Sequence, residues 1–88
     1  MPTLEPFWNI RFAATARALF STIPRGEADS FAQAVEVLRR GPQPPGFEQI
    51  DDKLYQYSAN GYRIAFEVVA DAQNTVRVTV FEREVQSH

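Results

Sequence analysis

From Trp8 the chain alternates between apolar and polar positions. Trp8, Ile10 and Phe12 fall on one side and Asn9 and Arg11 on the other, the period of a short half-buried strand. The period then lengthens to that of a helix. Phe12, Ala16, Leu19, Phe20 and Ile23 make one apolar stripe, with Thr15 and Arg17 outside it, and Pro24-Arg25-Gly26 ends it. A second stripe runs through Phe31, Ala34, Val35 and Leu38. It carries Glu27 and Asp29 in its first turn and Arg39 and Arg40 in its last, the signs that suit a helix dipole, and Gly41-Pro42 stops it. Two helices joined by so short a break predict an antiparallel αα-hairpin.

Gln43-Pro44-Pro45-Gly46 reads as a stiff, extended connector. Three strand-like runs follow it. Leu54 to Ser58 is separated from Tyr62 to Val69 by Asn60-Gly61, the strongest short hairpin signal. Asp71-Ala72-Gln73-Asn74 makes a second turn, and Val76, Val78 and Val80 then alternate with Arg77, Thr79, Phe81 and Arg83. The order β-α-α-β-β-β predicts an α+β domain: an antiparallel sheet with the helical hairpin packed on one face. One domain spans 1–88, with 1–6 a flexible lead-in and 85–88 a frayed end.

Register turns these strands into a candidate site. With Asn60-Gly61 as a two-residue loop, Ala59 pairs with Tyr62, Ser58 with Arg63, Tyr57 with Ile64 and Tyr55 with Phe66. Tyr55, Tyr57, Tyr62, Ile64, Phe66 and Val68 then share the core face, leaving Leu54, Gln56, Ser58, Arg63, Ala65 and Glu67 on the other. Bringing the valines of the last strand onto the same core sets Val68 against Val78 and Phe66 against Val80. This register places Ala65 opposite Phe81 and Arg63 opposite Arg83, with Arg77 on the same outer face. Two arginines facing each other across a strand pair repel by up to about 1 kcal/mol. Nearby Glu82 and Glu84 would offset this, and so would a bound anion, held by Arg63 and Arg83 with Gln56, Ser58 and Arg77 around it and Phe81 as a stacking surface.

Composition limits what such a site does. At 88 residues and a net charge of −2, the chain has a core of one domain's size and no bulk positive charge to hold nucleic acid. Eight of the nine basic residues are arginine, with Lys53 the only lysine, so the chain's cations are of the kind that grips phosphate or carboxylate in two-point fashion. The absence of cysteine and the single histidine, His88, exclude a disulfide framework and a zinc site. No apolar run approaches the roughly 18 residues of a membrane span, and nothing at the start marks a signal peptide, which predicts a cytoplasmic protein without a membrane partner.

The ordered set Trp8-Asn9-Ile10-Arg11-Phe12, Val37-Leu38-Arg39-Arg40-Gly41-Pro42, Asn60-Gly61-Tyr62-Arg63-Ile64-Ala65-Phe66-Glu67-Val68 and Val78-Thr79-Val80-Phe81-Glu82-Arg83 resembles the RelE/ParE superfamily of bacterial toxins from toxin-antitoxin pairs. The resemblance implies a cognate antitoxin. It also implies, for the RelE branch, metal-independent and cofactor-free cleavage of messenger RNA on the ribosome. In that chemistry the 2′-hydroxyl attacks the adjacent phosphate, and Arg63 and Arg83 match basic positions that stabilise the transition state. The pattern departs where RelE-like nucleases carry two lysines, here Leu54 and Gln56, and in having no tyrosine after the last arginine. His88 is the remaining candidate for a general acid or base. The ParE branch implies instead a toxin that binds DNA gyrase and needs no catalytic base. A third reading is a plain interaction domain whose sheet takes a peptide helix on Phe81, Val69 and Leu54.

Overall fold

The computed structural model describes residues 7–70 and 72–84. Strand β1 (Asn9–Phe12) leads into a short helix α1 (Ala14–Ala18), a 3-10 turn at Phe20–Thr22, and a second at Arg25–Glu27. Helix α2 (Ala28–Glu36) follows and tightens into a last 3-10 turn at Val37–Arg40. Strands β2 (Glu48–Gln49), β3 (Leu54–Ala59), β4 (Tyr62–Val68) and β5 (Thr75–Arg83) complete the chain. The helical hairpin is therefore present, but its first arm is only five residues of α-helix. No side chain caps α1, and the Thr22 hydroxyl donates back to the Leu19 carbonyl at 2.6 Å, a local bond that competes with helix continuation.

The sheet order is β1-β5-β4-β3-β2. Every pairing is antiparallel except that of β1 with β5, which is parallel. The sheet is thus mixed, not wholly antiparallel as expected, because the alternation that marks a strand carries no information on its direction. The additional strand β2 is two residues long, too short to show a period, and pairs Glu48 with Gln56 and Gln49 with Tyr55.

The β3–β4 hairpin has the expected register throughout, from Ala59 opposite Tyr62 to Tyr55 opposite Phe66. Asn60 and Gly61 both take positive φ, 51° and 83°, the geometry that a two-residue hairpin loop with matched twist demands. The β4–β5 register is different. Val68 faces Val76, Glu67 faces Arg77 and Phe66 faces Val78, but beyond that point Ala65 faces Val80, Ile64 faces Phe81, Arg63 faces Glu82 and Tyr62 faces Arg83. One extra residue, Thr79, is inserted in β5 as a β-bulge, and its hydroxyl donates to the Ala65 carbonyl at 3.2 Å. A bulge reverses which side the following residues face.

The helices cover one face of the sheet. Buried there are Phe31, Ala34, Val35 and Leu38 from α2 and its extension, Ala16 from α1, and Tyr57, Tyr62, Ile64, Phe66, Val76 and Val78 from the sheet. Phe81 joins them at 5% exposure, its ring centroid 4.4 Å from that of Phe31. The Tyr57 hydroxyl donates to the Ala34 carbonyl at 2.6 Å, tying α2 to β3. At the rim, the Trp8 amide donates to the Arg39 carbonyl at 2.8 Å, holding the entry to β1 against the end of the helical hairpin.

Candidate functional site

Among the described residues, no element packs over the opposite face of the sheet. Gln56 and Ser58 from β3, Arg63 and Ala65 from β4, and Val80 and Glu82 from β5 meet there, each placed by the alternation of its strand and, in β5, by the bulge. Two adjoining depressions mark this surface. One, of about 260 Å³, lies among Pro45, Gly46, Glu48, Gln56, Ser58 and Arg63. The other, of about 230 Å³, is more apolar and lies among Ile50, Leu54, Gln56, Arg63, Ala65, Val80 and Glu82. Gln56 and Arg63 line both, so the guanidinium sits on the ridge between a polar hollow and an apolar one.

Arg63 is held from one side by carboxylates. Its guanidinium lies 3.3 Å from Glu82 and 3.6 Å from Glu84. Arg77 lies further along the same face and pairs with Glu67 at 2.6 Å. In place of an arginine pair in need of an anion, the hairpin end of this face presents an arginine already neutralised, with Glu48 nearby. Such exposed pairs contribute little to stability, about 0–1 kcal/mol, but a phosphate at Arg63 would have to compete with them for the guanidinium.

Arg83 is elsewhere. Placed beyond the bulge, it falls on the helix-covered side and pairs with Glu27 at 2.9 Å, while the other oxygen of Glu27 accepts from the Tyr62 hydroxyl at 3.0 Å. Burial and the Glu27 carboxylate both hold the Tyr62 phenol above its ordinary pKa, so it stays the donor of this bond. Glu27 thereby clamps the start of α2 to the ends of β4 and β5. The expected convergence of Arg63 with Arg83 is corrected, and so is the exposed stacking role of Phe81, which lies in the core: both assignments assumed unbroken alternation through Thr79. Gln56, Ser58 and Arg63 do come together. His88 lies outside the described residues. Glu48, Ile50 and Val80 complete the surface and were not foreseen; Glu48 comes with the unforeseen strand β2, and Val80 is turned outward by the bulge.

Two solved structures share this architecture. The toxin-antitoxin complex RelBE2 from Mycobacterium tuberculosis matches with a TM-score of 0.67 and 20% sequence identity, over 89% of this chain and 99% of the matched one. The archaeal RelE-RelB complex from Pyrococcus horikoshii OT3 matches with a TM-score of 0.68 and 11% identity, over 92% and 99%. The fold is the RelE fold. No family model and no curated protein sequence matches the chain. Among the described residues no group of His, Cys, Asp or Glu is placed to hold a metal ion, and no helix is long and apolar enough to cross a membrane.

Proposed function

We propose that this chain is the cytoplasmic toxin of a toxin-antitoxin pair, and that it acts by binding a protein target through the open sheet face. The reading takes its class from the two RelE-RelB complexes whose fold the chain shares. The observation that carries its mode of action is the separation of Arg63 from Arg83 to opposite faces, each matched by a glutamate. Transition-state stabilisation needs preorganised donors aimed at one developing charge. Here Arg63 and Arg83 are divided and each pairs with glutamate, while Ile50, Leu54, Ala65 and Val80 give the open face an apolar centre with Val80 and Ile50 exposed. A protein surface fits that combination, and DNA gyrase is the target the ParE branch implies. The antitoxin is the second partner, and masking the open face would silence the toxin.

Expression in bacteria with the chain under an inducible promoter tests this. Growth arrest is expected, with messages intact by primer extension. Val80→Asp, which sets a charge in the apolar hollow, is expected to abolish the arrest, whereas Arg63→Ala and Arg83→Ala remain toxic. Cuts inside codons that vanish with Arg63→Ala would instead establish ribosome-dependent cleavage of messenger RNA.

A further inference from the structure

The arginine-opposite-arginine arrangement expected at the hairpin end does exist, at the other edge of the sheet. In the parallel pair β1–β5, Arg11 stands beside Arg77. Side chains of paired residues on neighbouring strands emerge on the same face about 5 Å apart, so the two guanidinium groups repel unless something negative lies between or beside them. Glu67 relieves Arg77 only. Arg11 has no carboxylate within ion-pair distance among the described residues.

A third arginine joins them. Arg17, on α1, reaches round the end of β1 and donates its Nε to the Phe12 carbonyl at 3.2 Å. That bond fixes the guanidinium plane and leaves both terminal NH2 groups without an acceptor among the described residues. Arg11, Arg17 and Arg77 line one depression of about 480 Å³, together with Phe12 and Phe20. The contrast with the hollows under Arg63 is one of charge: Glu48 and Glu82 line those, and no carboxylate lines this one. Phe20 is 41% exposed at the lip, and its ring is held edge-on against Phe12 with centroids 5.1 Å apart, so an apolar ring surface is fixed beside the cations.

We propose that this depression is a phosphate site for single-stranded nucleic acid, with Arg11 and Arg17 gripping a backbone phosphate and Phe20 taking an adjacent base. The guanidinium fork matches phosphate oxygens in two-point contact, and a fixed ring beside a cationic groove is how strands are held without regard to sequence. The Phe20 ring stacks on Phe81 with centroids 6.1 Å apart, and an acidic peptide would satisfy the charge but make no use of the part of that ring still exposed. The site is separate from the Arg63 surface and does not depend on the function proposed for it.

The test is fluorescence-anisotropy titration of the purified chain with labelled rU12, dT12 and a poly-glutamate peptide, at several salt concentrations. Binding of the oligonucleotides but not the peptide is expected. The Arg11→Gln/Arg17→Gln double variant is expected to weaken oligonucleotide binding at least tenfold and to lower the slope of log affinity against log salt by about 0.7 for each phosphate no longer neutralised. Arg11→Lys, which keeps the charge but not the fork, is expected to fall between wild type and Arg11→Gln. Arg40→Gln, an exposed arginine away from the depression, should bind as wild type does. Tighter binding of rU12 than dT12 would name RNA as the source of the phosphate, and the reverse DNA. The proposal is overturned by equal binding of the double variant, by tighter binding of poly-glutamate than of either oligonucleotide, or by no binding of either oligonucleotide at low salt. All substituted positions are exposed, and an unchanged melting temperature separates loss of the site from loss of the fold.

Discussion

On the helix-covered face, Phe66, Ile64, Val76 and Val78 have no exposed surface, and a charged tie at its rim, Glu27 with Arg83 and Tyr62, joins the start of α2 to the strand ends. On the open face the same strands show Arg63, Glu67, Arg77, Val80 and Glu82, half-buried or exposed, in alternating charges round an apolar centre. The two faces share a backbone yet divide the work: side chains on one are chosen by shape and volume, those on the other by what can still be bound. Arginine shows the division best. Arg83 is structural because the bulge at Thr79 turned it toward the helices, and Arg63 faces solvent because no bulge precedes it.

Substitution at the two faces should therefore differ most where the core is densest. Phe66→Ala is expected to cost about 3–5 kcal/mol in denaturant unfolding, most of the stability of so small a domain, whereas Ala65→Ser, one residue away on the open face, should cost far less. A fall of equal size at Ala65 would break the comparison. Next in size, Tyr57→Phe removes a buried hydroxyl that donates to the Ala34 carbonyl and is expected to cost about 1 kcal/mol.

The same tyrosine gives a pH signature. Burial raises the Tyr57 phenol well above its ordinary pKa of 10.0, and Tyr62 is raised in the same direction. Because the folded state favours the neutral phenol, its contribution is complete below pH 10 and is lost as pH rises above that value. Stability should thus decline in alkali, and Tyr57→Phe should shallow the decline. The smallest effects belong to the exposed ion pairs: Arg83→Ala and Arg63→Ala should each change stability by less than about 1 kcal/mol by thermal melting. A larger loss at Arg83 than at Arg63 would sharpen the distinction between a clamp and a free surface.

The parts of this architecture legible in the sequence are those with a local physical signature. The β3–β4 register follows from Asn60-Gly61, whose positive-φ geometry leaves one way to join the strands. The α2 stripe follows from Phe31, Ala34, Val35 and Leu38, all buried. The bulge left no such trace. Val78, Thr79, Val80 and Phe81 all favour strands, so nothing in residue type announces that Val80 would turn out and Phe81 in. From that one residue came the misplacement of Arg83 and Phe81, and the open face gained Val80 in exchange. The parallel pairing of β1 was equally silent, and with it the approach of Arg11 to Arg77. Gln56, Ser58 and Arg63 were found together because they depend on the hairpin alone.

The place of β5 has a consequence in time. It pairs with β1 on one side and β4 on the other, and Asn9, near the start of the described chain, meets Thr75, near its end. A ribosome makes β1 first and must hold it without a partner until β5 emerges, and loop closure over such a span is slow. While translation is under way, the sheet that carries both arginine surfaces does not exist in full. Until β5 has emerged, β1 and β4 lack the strand that joins them, and the edge where Arg11 stands beside Arg77 is absent.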